Sequence, residues 1–87
     1  MNEISAVLTD CLRHILASED SAYSAMSARV LAETLQNTIA KLERDEPIDK
    51  AELRLLFAPT GDLQETSIDN GWGDEFVALS ARFDRAI

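Results

Sequence analysis

Residues 1–46 contain neither glycine nor proline, whereas both prolines and all three glycines of this 87-residue chain lie between Pro47 and Gly73. Proline ends helices because its ring fixes φ and its nitrogen carries no hydrogen, and glycine favours turns and helix ends. The first half is therefore predicted to form long helices, and the second half short helices joined by tight turns.

Two long helices are predicted from apolar residues that recur every three or four positions. The first covers residues 2–18, with Asn2 as its N-cap. Its apolar stripe contains Ile4, Val7, Leu8, Cys11, Leu12, Ile15 and Leu16. The polar residues 18–21 predict a short turn, and the second helix then runs from about Ala22 to Arg44. Its stripe contains Tyr23, Met26, Val30, Leu31, Leu35, Ile39 and Leu42. Because so short a turn joins them, the two helices are expected to lie antiparallel.

Three shorter helices are predicted after Pro47. Asp49 caps the third, with Glu52 at the spacing of a capping box. Its inward residues are Leu53, Leu56 and Phe57, and Pro59 and Gly61 end it. Asp62 is predicted to cap the fourth helix in the same way, with Glu65 three residues later and Leu63 and Ile68 pointing inward.

The stretch "SIDNGWGDEF", residues 67–76, is predicted to be the joint between the fourth and fifth helices. Asn70 and Gly71 stop one helix, since both tolerate the left-handed conformation, and Gly73 opens the next. The side chains of the last helix form one face, with Trp72, Phe76, Leu79 and Phe83 spaced by four, three and four residues. Trp72 is expected to lie largely buried over the seam between the fourth and fifth helices. Its indole N–H is expected to donate a hydrogen bond to a carbonyl left unpaired at a helix end.

No apolar-polar alternation of strand length occurs, which argues against β structure. The sequence therefore predicts an all-α fold in a single domain over residues 1–87. The expected bundle has about five helices, in which a long antiparallel hairpin is crossed by three shorter helices.

Charge limits the classes of partner. The chain has sixteen acidic residues and eight basic ones, which gives a net charge of −8. Such an excess disfavours nucleic acids and anionic membranes, and long-range attraction favours a basic protein. Solubility alone is the other explanation of the charge. The lone Cys11 allows no intrachain disulfide, and no signal peptide or membrane-spanning stretch is visible, so a cytoplasmic location is expected.

No arrangement typical of catalysis or metal binding stands out. His14 lies four residues from Asp10, a spacing that suits a general base but also an ordinary surface pair. Cys11 lies on the apolar stripe, where it acts as a small hydrophobic residue. The acids near Trp72 lack the spacing of a calcium-binding EF-hand, and no phosphate-binding loop is present. The chain is therefore predicted to be no enzyme and to use no cofactor or metal.

The acidic residues around Trp72 have no basic residues near them in the sequence. Residues 55–81 contain no lysine or arginine. An acidic stretch around a tryptophan is a suitable surface for gripping a basic protein. The predicted partner-binding residues are Asp62, Glu65, Asp69, Trp72, Asp74 and Glu75.

Residues 53–84, "LRLLFAPTGDLQETSIDNGWGDEFVALSARFD", resemble a pattern in small uncharacterised bacterial helical proteins. They also resemble immunity proteins of bacterial toxin systems, the Maf type among them, through Leu56-Phe57, the turn "APTGD" and the short helix "LQETSI". The two-glycine turn of that type is absent. The resemblance implies a bacterial, non-catalytic protein that binds and neutralises a partner protein.

Two functions of different kinds follow as expectations. The first is an immunity-like interaction protein that binds a basic partner through its acidic second half. The second is a homo-oligomeric helical module, such as a homodimer, because the apolar stripes exceed what one small core absorbs. A native pull-down separates the two, and so does the mass of the protein in solution.

Overall fold

The computed structural model describes residues 2–87, so Met1, the first residue of the predicted domain, lies outside the described part. Five helical segments follow one another along the chain: α1 (Glu3–Leu16), α2 (Ala28–Glu43), α3 (Lys50–Phe57), α4 (Asp62–Asp69) and α5 (Gly73–Ala86). Over residues 2–87 no strand is present. The prediction of an all-α fold with about five helices is confirmed.

The helices fall into two length classes. α1 and α5 contain 14 residues each and α2 contains 16, whereas α3 and α4 contain 8 each. The prediction of a shorter last helix is therefore wrong, because no helix-breaking residue follows Gly73 at the start of α5. Within the described range, none of the helices is both long enough and apolar enough to cross a bilayer.

The caps of α1 and α3 are those predicted from the sequence. Asn2 Oδ1 accepts a hydrogen bond of 2.7 Å from the amide of Ser5. Asp49 Oδ1 accepts one of 3.0 Å from the amide of Glu52. Each cap satisfies an amide that has no partner within its own helix, and so fixes where the helix begins.

The predicted start of α2 is wrong. α2 begins at Ala28, with Ser27 as its N-cap, and not near Ala22. Polar side chains hold the preceding residues out of a helix: Asp20 Oδ1 accepts from the amide of Ala28 at 2.8 Å, and Ser24 accepts from the amide of Met26. Such local bonds compete with helix formation. Tyr23 is consequently 78% exposed and does not belong to the apolar face of α2.

One connected core draws side chains from all five helices. Its largest fully buried members include Leu8, Leu31, Leu53, Leu63 and Phe83, one from each helix. α1 packs against both α2 and α5. Phe57 at the end of α3 stacks on Phe83 with ring centroids 4.2 Å apart, which joins α3 to α5. The core thus lies along α1 and is closed by the second half of the chain.

Some residues assigned inward from the sequence lie outside the core. Leu16, Val30 and Ile68 are exposed. Leu16 lies at the edge of the buried face of α1, whereas Val30 and Ile68 point away from the buried side of α2 and α4, at about 100° or more from the buried residues of those helices. The predicted inward position of Leu63 is confirmed, since its side chain is fully buried.

The joint between α4 and α5 is built as predicted around Gly71. Gly71 has φ +80°, a left-handed conformation. Its amide donates to the carbonyl of Ile68, and the amide of Trp72 donates to the carbonyl of Ser67 at 2.9 Å. These two bonds are the pattern of a Schellman motif, which satisfies carbonyls left over at a helix end. α5 then begins at Gly73.

Candidate partner-binding surface

The predicted acidic residues are distributed over the N- and C-terminal ends of α4 and the first turn of α5. Asp62 is the first residue of α4 and Asp69 the last. Seven residues at 1.5 Å each separate them by about 10 Å along the helix axis. Asp74 and Glu75 lie in the first turn of α5, where the helix dipole favours negative charge. Only the α4–α5 joint separates these two residues from Asp69.

Asp62 has a structural role that differs from the predicted one. Gly61, not Asp62, is the N-cap of α4, and no side chain caps this helix. Asp62 Oδ1 instead accepts from the amide of Ala25 at 2.9 Å and from the hydroxyl of Ser24 at 3.1 Å. The predicted capping role of Asp62 is therefore wrong. Its carboxylate holds the α1–α2 connection, residues 17–27, against α4.

The other end of α4 holds the same connection. The hydroxyl of Ser21 donates to Asp69 Oδ2 at 2.6 Å. Asn70 pairs with the backbone of Glu19 through two bonds of 2.9 Å, accepting from its amide and donating to its carbonyl. We call the contact between residues 17–27 and residues 62–72 the polar seam, because side-chain hydrogen bonds to backbone and hydroxyl groups run along it.

Trp72 completes the polar seam. The ring is buried, with 6% of the residue exposed. Its indole N–H donates to Ser18 Oγ at 2.9 Å, so the predicted bond to a carbonyl is wrong. The Ser18 hydroxyl in turn donates to the carbonyl of His14 at 2.8 Å. The structure therefore places Trp72 as a seam-covering side chain, as expected, with little surface left for a partner.

Three acidic side chains remain after these structural roles are assigned. Within residues 2–87, no hydrogen bond or ion pair engages the carboxylates of Glu65, Asp74 and Glu75. Asp74 and Glu75 are exposed and Glu65 is half-buried. These three carboxylates are available to an external cation.

Some acids elsewhere in the chain are paired with arginine: outside residues 55–81, four of the eleven acidic side chains form such ion pairs. Arg82 on α5 bonds Asp10 at 2.7 Å and Glu3 at 3.2 Å, both on α1. The hydrogen bond from Arg82 is the main reason why the pKa of Asp10 lies below its usual value, and Arg13 lowers it further. Arg29 pairs with Glu33 in α2. Within residues 2–87, no such pair involves an acid of residues 55–81, and that stretch contains no lysine or arginine.

His14 and Cys11 are occupied by packing. The His14 ring stacks on Trp72, with centroids 4.7 Å apart and planes inclined by 14°. Asp10, its predicted neighbour, bonds Arg13 and Arg82 instead, so the Asp–His pair considered from the sequence does not form. Burial raises the pKa of the Cys11 thiol to about 12, which leaves it protonated at neutral pH. Within the described range, no group of three or more His, Cys, Asp or Glu side chains is arranged to hold a metal.

A comparison with protein-family models, curated proteins and solved structures found no match for this chain.

Sequence reasoning missed the polar seam because its partners are far apart in the chain. The bond between Trp72 and Ser18 joins residues 54 positions apart, and the bond between Ala25 and Asp62 joins residues 37 apart. Helical periodicity reports neighbours three or four residues away and carries no signal for such pairs. The concentration of serine and aspartate in residues 18–24 is the one local sign that this connection is held by side chains.

Proposed function

We propose that this chain is a non-enzymatic bacterial protein, similar in role to immunity proteins, that binds a basic protein partner in the cytoplasm. The contact surface is centred on Glu65, Asp74 and Glu75. Asp62 and Asp69 border it with the carboxylate oxygens that the polar seam does not use. Trp72 supports this surface from below and is not itself the main contact.

The lack of internal cations supports this proposal. No lysine or arginine lies in residues 55–81, and within residues 2–87 none of the five carboxylates forms an ion pair. Unpaired charges of one sign on an exposed surface attract a partner of the opposite sign and accelerate its approach. Outside residues 55–81, arginine side chains pair with four of the eleven acids.

The test begins with a pull-down from the native host, using this chain as bait. We expect a basic protein to be retained at low salt. Association of the purified pair is then measured by stopped-flow fluorescence over a range of ionic strength. For the double variant Asp74→Lys/Glu75→Lys, we expect association about tenfold slower at low salt and a flatter salt dependence.

The matched control is Glu43→Lys/Asp84→Lys, which makes the same change in net charge at exposed positions outside the acidic surface. Circular dichroism checks that both variants fold. The milder variant Asp74→Asn/Glu75→Gln covers the case in which lysine disturbs the first turn of α5. Equal association rates for the acidic-surface variants and the unchanged protein contradict the proposal, as does a pull-down without any basic protein.

A homo-oligomeric module is the second candidate, and exposed apolar side chains favour it. Leu16, Tyr23, Leu55, Ile68 and Val77 all lie largely in water. A second copy could cover part of this surface. The measurement is the mass in solution at high micromolar concentration, by sedimentation equilibrium. A strict monomer there rejects oligomerisation as the main function.

We also propose that α1 and α2 form the antiparallel hairpin expected from the sequence. Two surface grooves support this arrangement. One is lined by residues from the start of α1 and the end of α2, including Ser5 and Glu43. The other is lined by residues from the end of α1 and the start of α2, including Leu16 and Arg29. Spin labels at positions 3 and 43 should be closer together than labels at 3 and 29, and the reverse order rejects the hairpin.

A further inference from the structure

A groove of about 450 Å³ lies between α3 and the start of α4. Its lining combines two kinds of side chain. The apolar part is formed by Met26, Leu55 and Leu56, and the acidic part by Asp49, Glu52 and Asp62. Met26 belongs to the α1–α2 connection, so the polar seam brings it to this position through the bonds of Asp62 to residues 24 and 25.

Leu55 is the exposed apolar side of this groove. It is 73% exposed, whereas Leu53 and Leu56 on the same helix are buried. A single exposed leucine is ordinary on a protein surface. Leu55, however, adjoins half-buried Met26 along a concave surface, and apolar side chains in a concavity give a partner more area to cover than a flat surface does.

Among residues 2–87, no basic side chain lines the groove. Lys50 and Arg54 lie on the same helix but are not part of the lining. Asp49 and Asp62 each use Oδ1 within the fold, which leaves Oδ2 of both for a further donor. Within residues 2–87, no hydrogen bond or ion pair engages the carboxylate of Glu52. The groove therefore presents an apolar floor with unneutralised negative charge at its edge.

We propose that this groove receives a basic amphipathic segment of the protein partner. An apolar side chain of the segment packs against Met26 and Leu55, and flanking lysine or arginine side chains pair with Glu52 and the two aspartates. The proposal rests on the proposed function, since Asp62 belongs to both surfaces. Charge complementarity selects this occupant over a second copy of the chain, because two molecules of net charge −8 repel each other.

The probe is a fluorescein-labelled peptide of leucine and lysine with its leucines at helical spacing, and its binding is followed by anisotropy. We expect saturable binding that weakens as salt rises. Leu55→Ser and Glu52→Lys should each weaken it about fivefold or more, the level at which an interface residue counts as important. Both residues are exposed, so neither change removes a core side chain.

The matched controls change the same chemistry elsewhere. Val77→Ser removes an exposed apolar side chain from α5, and Glu43→Lys reverses an exposed charge on α2. Both should leave peptide binding within about twofold of the unchanged protein, because surface changes away from an interface have small effects. A peptide with glutamate in place of lysine should not bind, and a peptide with serine in place of leucine should bind more weakly.

Several outcomes would contradict the proposal that this groove binds a basic segment. They are the absence of saturable binding, equal weakening by the control variants, and equal binding of the glutamate peptide. The proposal is also contradicted if the protein self-associates and Leu55→Ser abolishes this self-association, because the groove then binds a second copy of the chain. If Asp74→Lys/Glu75→Lys slows association with the native partner while Leu55→Ser and Glu52→Lys do not, the groove is not a binding site, and the proposed function stands. If only the groove variants change binding of the native partner, the proposed contact surface around Asp74 and Glu75 is rejected.

Discussion

The apolar core joins all five helices, whereas the polar seam fixes the α1–α2 connection to α4 and to the α4–α5 joint. In the core, side chains such as Leu8, Leu35 and Phe83 are removed from water, and no polar atom of theirs needs a partner. In the polar seam, Asp62 and Asn70 make hydrogen bonds at half-exposed positions, where water competes for the same groups. Hydrophobic burial is therefore expected to supply most of the stability, and the polar seam to supply the position of the α1–α2 connection.

The contrast has a consequence for function. A truncation in the core removes stability wherever it lies, whereas the loss of one seam bond releases a connection that carries Met26 into the groove. The core and the seam can thus be separated experimentally by the size of the loss in stability and by where the protein opens.

Trp72→Ala should give the largest effect, because Trp72 belongs to both regions. The variant loses a buried ring, the stack on His14 and the bond to Ser18. We expect the free energy of unfolding to fall by about 3–5 kcal/mol, measured by urea denaturation. In the unchanged protein, Trp72 is the only tryptophan, so its emission should be blue-shifted and protected from acrylamide. Emission like that of free tryptophan, with full quenching, is incompatible with a buried ring.

Leu35→Ala tests the core alone. Leu35 is fully buried on α2 and takes no part in the polar seam. The cavity should lower the free energy of unfolding by about 2–5 kcal/mol, a large share of the 5–15 kcal/mol typical of a folded domain. The control is Leu55→Ala, an exposed leucine that should cost less than about 0.5 kcal/mol. A loss that small at Leu35 would place it on the surface.

Asp62→Ala tests the polar seam alone. It removes the acceptor of the Ala25 amide, whereas the Ser24 hydroxyl keeps the carbonyl of Met26 at 2.7 Å. Because water can reach the amide at this exposed position, the loss should be about 0.5–1.5 kcal/mol. The amide of Ala25 should also exchange its hydrogen faster, while amides in the middle of α1 keep their relative protection. Glu65→Ala is the control, because no bond within the described residues engages its carboxylate and little stability should be lost. Equal losses at Asp62 and Glu65 would show that the seam bond adds nothing.

The same division separates what the sequence predicts from what it does not. The faces of α1 and α5 follow from apolar spacing, because residues on one helical face report burial together. The caps Asn2 and Asp49 and the stop at Gly71 follow from local backbone chemistry, and all three are confirmed. The start of α2 does not follow, because side chains of a distant helix complete the polar bonds that hold its preceding residues out of a helix.

The candidate site divides similarly. The acidic composition of residues 55–81 is visible in the sequence, but the roles of its members are not. Asp62 and Asp69 are committed to the seam, while Asp74 and Glu75 are not, although all four are aspartate or glutamate at a helix end. The groove beside Leu55 is formed by three separate chain segments, so only the tertiary structure reveals it.

Gly71→Ala sharpens the comparison at the joint between the two regions. A Cβ at Gly71 meets nothing within 4 Å, so the cost is conformational and arises from its φ of +80°. The expected loss is about 1 kcal/mol in thermal or urea denaturation. The end of α2 offers the reciprocal change, because Asp45 occupies the same left-handed position at φ 54°. Asp45→Gly should therefore raise stability by a similar amount, and a gain from Gly71→Ala or a loss from Asp45→Gly would refute the backbone argument.

Arg82→Gln should give the smallest effect, and only at neutral pH. Arg82 bonds Asp10 and Glu3 at the surface of α1, so it stabilises the contact of α1 with α5 from outside the core. Because Arg82 holds the pKa of Asp10 below its usual value, Asp10 binds protons less readily in the folded protein than in the unfolded chain. Its stabilising contribution is then present above the ordinary aspartate pKa of about 4 and is lost as pH falls through the folded value.

The measurement compares urea midpoints of the variant and the unchanged protein at pH 7 and at about pH 2. The difference should be small at pH 7, since the pair is partly exposed and screened by water, and should disappear at the acid end. Arg85→Gln is the matched control: it removes the same charge from the same helix, and no ion pair in residues 2–87 involves Arg85. If both variants lose stability equally at pH 7, the effect belongs to net charge. If the difference for Arg82 persists in acid, its side chain acts through packing and the ion pair with Asp10 contributes nothing.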